Sequence, residues 1–147
     1  LVAGMKAGHV SNTWPLMFGR VIPPGLLAQM EPWWRNLLTA PATVHFIHRW
    51  LAFGVLLAAI FLYWVAKKRQ YSTAVHKASV WLIGLTTVQI ALGVSVIWFG
   101  VPLILALTHQ AVALFMFVAA IFISYRVVHE PLPYPGELEP QLQLKAA

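Results

Sequence analysis

Three long apolar runs, at about residues 43–66, 78–98 and 103–128, dominate the chain; a basic loop divides the first two and a tight uncharged turn, Phe99-Gly-Val-Pro102, the last two. As α-helix their 21 to 26 residues extend roughly 32–39 Å, enough to cross about 30 Å of hydrocarbon with some tilt. The pattern therefore predicts three membrane-spanning helices. Leu1–Val10 is apolar but too short to span, and Lys6 and His9 interrupt it. It reads as the outer end of a truncated helix. With no cationic n-region there is no signal peptide to read, so the chain is expected to begin partway through a longer protein.

Residues 11–42 form a long outer connection with five prolines, Pro15, Pro23, Pro24, Pro32 and Pro41. Trp14, Trp33 and Trp34 suit a segment lying at headgroup level. One short helix, about Pro24–Leu38, is compatible with this stretch, with proline at its start and Asn36 near its end. Residues 129–147 carry four prolines, three glutamates and little apolar periodicity, as a flexible tail would. The domain reading is one membrane bundle over 1–128 and a tail beyond it.

Composition turns this pattern into a class. Of 147 residues 60% are hydrophobic and 10% charged, with a mean hydropathy of +0.74. A water-soluble domain of that size cannot hide so much apolar surface. The predicted fold is all-α: an integral membrane helical bundle of three full spans plus the end of a fourth. Net charge is +6, yet the basic residues do not form the stripe that nucleic acid requires. Four of them lie in the acid-free loop Lys67–Lys77, which the positive-inside rule assigns to the cytoplasmic or matrix side. There is no cysteine, which excludes disulfides and thiolate chemistry.

Ionisable residues within the spans are functional candidates, because burying them in hydrocarbon costs several kcal/mol. His45, His48 and Arg49 fall in the first two turns of the first span, and His109 falls in the third. His48 and His109 lie about 8 and 9 Å below the starts of two parallel helices. Imidazoles so matched can face each other across a flat metal complex, and haem iron with two axial histidines is a common use of that arrangement. Ala52 and Ala113 leave room for a ring, and Arg49 is placed to pair with a haem propionate. Either histidine alone reads better as a helix-packing hydrogen bonder; the matched pair favours haem. His45 and His48 make half a zinc site without a third ligand. His9 reads first as interfacial and second as touching a cofactor edge, His76 and His129 as solvated, and Thr86, Thr87, Gln89 and Ser95 as helix-packing groups. Gly84 and Gly93 allow close approach of a helix or a ring. All four glutamates, Glu31, Glu130, Glu137 and Glu139, lie outside the spans, so these spans offer no carboxylate as a general base.

A series of ordered motifs resembles a known family. Leu1-Val-Ala-Gly-Met-Lys-Ala-Gly8, Asn12-Thr-Trp-Pro-Leu-Met17, Gly19-Arg-Val-Ile-Pro23, Pro32-Trp-Trp-Arg-Asn36, His48-Arg49 and His109-Gln-Ala-Val-Ala-Leu114 resemble the carboxy-terminal half of haem A synthase, alphaproteobacterial or mitochondrial branch. The resemblance implies half of an eight-helix, two-repeat protein in a bacterial or mitochondrial inner membrane. It implies oxidation of a ring methyl of haem O to a formyl group, with catalytic residues in the other half. It also implies a haem b whose iron is ligated by His48 and His109. The implied partners are membrane lipid, the haem O substrate and an electron donor such as a ferredoxin. Haem O synthase or oxidase-assembly proteins and a second copy of the chain complete that list, and nucleic acid is absent from it. Thr39-Ala40 and His45 depart from the family pattern, which has an acidic-Asn pair and a glutamine at those places. A plain electron-transfer cytochrome b and a haem-free assembly subunit remain open as alternatives.

Overall fold

A computed structural model of the chain describes residues 2–130; nearly all of the expected tail lies outside them. Four α-helices follow one another: α1 (Asn36–Thr39), α2 (Pro41–Lys68), α3 (Thr73–Trp98) and α4 (Leu103–His129). There is no strand among the described residues beyond one isolated Met17–Arg20 bridge. The three long helices are each apolar and long enough to cross a membrane. Their large side chains point outward on every side: Leu57, Phe61, Phe115 and Phe117 are all more than 60% exposed. Such a surface is unstable in water and suits the apolar interior of a membrane. The protein is a multi-pass membrane bundle.

The helix ends follow from local sequence. Pro41 sits in the first turn of α2, where its missing N–H is no loss. α2 ends on Lys67 and Lys68, cations beside the negative end of the helix dipole. Gln70 then turns left-handed (φ 57°), while Tyr71 N–H bonds Ala66 C=O and Gln70 N–H bonds Lys67 C=O. That pair of hydrogen bonds closes the orphan carbonyls. Gly100 and Val101 close α3 in the same way. So do Lys6 (φ 51°) and Ala7 after residues 2–5, the signature expected of a helix's last turn. Within α3 and α4, Ser79, Thr86, Thr87, Ser95, Thr108 and Ser124 each donate to the carbonyl four residues earlier. Their hydroxyls are thereby satisfied without reaching another helix.

The outer connection departs from the single helix expected over about Pro24–Leu38. It turns irregularly to Pro32, forms a 3-10 turn at Trp33–Arg35, and only then enters α1. Pro32 disfavours a helical Glu31, and Gly25 has φ 74°, both against a continuous helix. Asn36, fully buried, does the work of helix hydrogen bonds instead. Its Nδ2 donates to the carbonyls of Leu27, Met30 and Trp33 at 2.7–2.9 Å, and its Oδ1 accepts from Gln29 N–H. Thr43 Oγ1 ties the same loop to α2 through Leu26 C=O.

The packing is uneven along the bundle. α3 packs on both α2 and α4, whereas the backbones of α2 and α4 do not approach each other closely. At the inner end Ala59, Ala66, Val75, Leu82 and Ile123 form a closed core, with Leu62 and Met116 against it. At the outer end the space between α2 and α4 stays open.

Candidate site between the outer halves of α2 and α4

His45, His48 and Arg49 stand at i, i+3 and i+4 in the first turns of α2, a spacing that keeps them on one side of a helix. His109 is six residues into α4. Because α3 runs antiparallel, Gln89 and Gly93 come to the same level from its far end. All six line a cavity of about 510 Å³.

The imidazoles of His48 and His109 face each other with ring centres 6.2 Å apart and planes at 78°. Gly93 makes room for one of them: a Cβ there would lie 3.1 Å from His109 Cε1. Gln89 Nε2 is 3.3 Å from His109 Nε2. Ala52 and Ala113 lie on the cavity wall as expected, while Ala59 and Met116 belong to the inner core.

Arg49 is buried and its guanidinium is largely spoken for. Nη2 donates to Ser11 C=O at 3.0 Å, Nη1 to Thr13 C=O at 2.9 Å, and Nε to His45 Nε2 at 3.1 Å. Its charge also lies 5.9 Å from the Trp14 ring centre, and Trp14 stacks on Phe53. Arg49 therefore pins the outer connection onto α2 while still reaching the cavity wall. Accepting from Arg49 leaves His45 with its proton on Nδ1, and this buried atom has no partner.

The site can be tested as a ligand cradle. Three buried polar atoms of cavity-lining residues lack partners: His45 Nδ1, His109 Nδ1 and Gln89 Oε1. Lys6 and Arg49 line the wall and no carboxylate does, so the cavity favours a ligand with an anionic edge. Among the described residues no three His, Cys, Asp or Glu gather to hold a bare ion. Two facing imidazoles suit a metal that brings a ring of ligands of its own. Two metal–nitrogen bonds of ~2 Å back to back, plus the ring radii, put imidazole centres about 6 Å apart.

Gln89 bonds His109 from the neighbouring helix, as a helix-packing group does. Other residues fall differently from expectation. His9 lines the cavity, the second of its two readings. Thr86, Thr87 and Ser95 bond their own backbone. A Cβ at Gly84 would meet nothing within 4 Å. His129 is exposed and stacks on Tyr125, whereas His76 is half-buried at the inner end with Nε2 unpartnered, not solvated.

The sequence matches the family described as cytochrome oxidase assembly protein over residues 1–121. It is 42% identical to a haem A synthase of Brucella anthropi over 129 residues, and 43% identical to those of Brucella ovis and Brucella abortus. Each match covers 88% of this chain and 34% of the relative, so the chain spans about a third of the length of these curated relatives. No solved structure matches.

Arg49 generates a direct prediction. A cysteine at the buried Ser11 position is protected from a water-soluble thiol reagent while the Arg49 tether holds. Adding Arg49→Gln should raise its labelling rate by about tenfold, the equivalent of losing one charge-assisted hydrogen bond. An unchanged rate would mean that the loop is held by something else.

Proposed function

The chain belongs to the cytochrome oxidase assembly protein family, and we propose that it is the haem b-holding, carboxy-terminal half of a haem A synthase. The observation that carries this reading is the His48–His109 pair, matched in depth and 6.2 Å apart across one cavity. The relatives' name supports the activity, the oxidation of haem O to haem A in the service of cytochrome oxidase assembly.

A haem b held here would supply one-electron transfer. The chain's own residues bind and orient it. His48 and His109 would hold its iron, each through a ring nitrogen. Gly93 keeps the His109 ring unobstructed, and Ala52 and Ala113 leave width beside the ligands. Gln89, 3.3 Å from His109 Nε2, would help to orient that ring. Lys6 and Arg49, which keeps two guanidinium N–H groups unused, would be the cations for the propionates. His45 Nδ1, buried without a partner, would be a further donor. It stands where family members carry a glutamine, another side chain able to donate.

Converting a methyl to a formyl group removes two hydrogens and adds one oxygen, which needs an oxidant and an oxygen source at the substrate and groups that manage protons. The spans contain no carboxylate, which supports placing substrate oxidation outside this chain, with electrons arriving from a ferredoxin-like donor. The loop Lys67–Lys77 faces the cytoplasm or matrix, and residues 20–40 the opposite side of the inner membrane.

Two measurements test these assignments. Wild-type chain reconstituted with haem should bind one equivalent and reduce reversibly, yet give no formyl product from haem O and a reductant on extraction and chromatography. His48→Ala or His109→Ala should abolish its low-spin spectrum, and His129→Ala should leave it intact. Formyl product, or a low-spin spectrum surviving both alanine variants, contradicts the proposal. For topology, Gln70→Cys in this cysteine-free chain should react with an impermeant reagent only from the inner side; labelling from outside reverses the orientation.

A further inference from the structure

A second cavity, of about 320 Å³, opens sideways between the inner ends of α2 and α3. Tyr63 and Lys67 supply one wall, one turn apart on α2. His76, Lys77, Val80 and Trp81 supply the other, again at one-turn spacings on α3. It lies at the opposite end of the bundle from the histidine pair and has no part in holding haem.

Its chemistry is specific. Lys67 and Lys77 bring two cations to the groove, and neither has a carboxylate partner among the described residues. His76 lies edge-on to Tyr63, ring centres 6.3 Å apart, and its Nε2 is shielded from solvent without a hydrogen-bond partner. An imidazole nitrogen left so lacks the partner that a buried polar atom ordinarily has. His76 and Lys77 also lie in the first two turns of α3, whose free N–H groups make that end electropositive. Trp81, 70% exposed, lies about 12 Å along the helix from Thr73. The groove therefore begins among cations at the membrane boundary and continues over Val80 and Trp81 into apolar depth.

We propose that this groove binds the phosphodiester of an anionic glycerophospholipid. Lys67 and Lys77 flank the phosphate, His76 Nε2 hydrogen-bonds one of its oxygens, and an acyl chain runs along Val80 and Trp81. A free phosphate shares the headgroup's chemistry but leaves the apolar half of the groove unused. On the proposed topology this end meets the cytoplasmic leaflet, which carries anionic lipid.

The test is native mass spectrometry of the full chain with phosphatidylglycerol, phosphatidylcholine or inorganic phosphate as probe. Phosphatidylglycerol should be retained in preference to phosphatidylcholine. Retention should fall on the order of tenfold in Lys67→Gln/Lys77→Gln, and measurably in His76→Leu. Lys68→Gln/Arg69→Gln removes the same charge from the same loop without touching the cavity, and should leave retention within about twofold. Lys67→Arg/Lys77→Arg should retain the lipid, which keeps the test decisive if the glutamine variant misfolds. Equal loss in the two glutamine pairs would reduce the site to diffuse loop charge. Equal retention of phosphatidylcholine would reduce it to an apolar groove. Binding of inorganic phosphate without lipid retention would assign it to a soluble anion. Each of these overturns the proposal.

Discussion

A guanidinium inside an apolar helix must be given acceptors, and the outer half of this protein is arranged around giving them to Arg49. Three side-chain nitrogens reach Ser11 C=O, Thr13 C=O and His45 Nε2. Each of these bonds is charge-assisted and largely shielded from water, the conditions under which such bonds are strongest. One residue thus fastens a proline-rich loop 36 to 38 positions away, fixes the proton of a buried imidazole, and sets the outer wall of the cavity. Asn36 plays the neutral counterpart, holding the rest of the loop in a shape its prolines do not allow a helix to hold.

The second constraint is that α3 separates α2 from α4. At the inner end, alanines on α2 let the helices close around Val75, Leu82 and Ile123. Further out no such core forms, and the imidazoles of His45, His48 and His109 join aliphatic residues such as Ile90, Val94 and Val101 around the gap. A gap of this kind within lipid is stable when something fills it, since lining atoms with no neighbour forfeit their dispersion contacts. A Cβ at Gly93 would lie 3.1 Å from the His109 ring, whereas one at Gly84, deeper in α3 and on an exposed face, would meet nothing within 4 Å.

Much of this was legible in the sequence. Apolar length alone gave the three long helices to within a few residues at most ends, and the matched depths of His48 and His109 anticipated their encounter. The greatest difference, the start of α3 at Thr73 rather than about Ala78, arose because polar Thr73, His76 and Lys77 sit in its first turns. Other features were out of reach for a physical reason. Helices apolar on every face carry no stripe to fix their rotation, so nothing in the sequence said that Gln89 would meet His109. The hydrogen bonds of Asn36 join a loop without periodicity, and the carbonyls that Arg49 occupies are invisible to any pattern of side chains.

The central claim is that one haem is held between α2 and α4 by His48 and His109. Near-infrared magnetic circular dichroism of the oxidised, haem-loaded chain reads axial ligand identity directly. With His48→Met and His109→Met made singly, each variant should keep its haem and change from a bis-histidine to a histidine–methionine signature. A bis-histidine signature that persists in either variant would show that another residue ligates the iron, and would contradict the account.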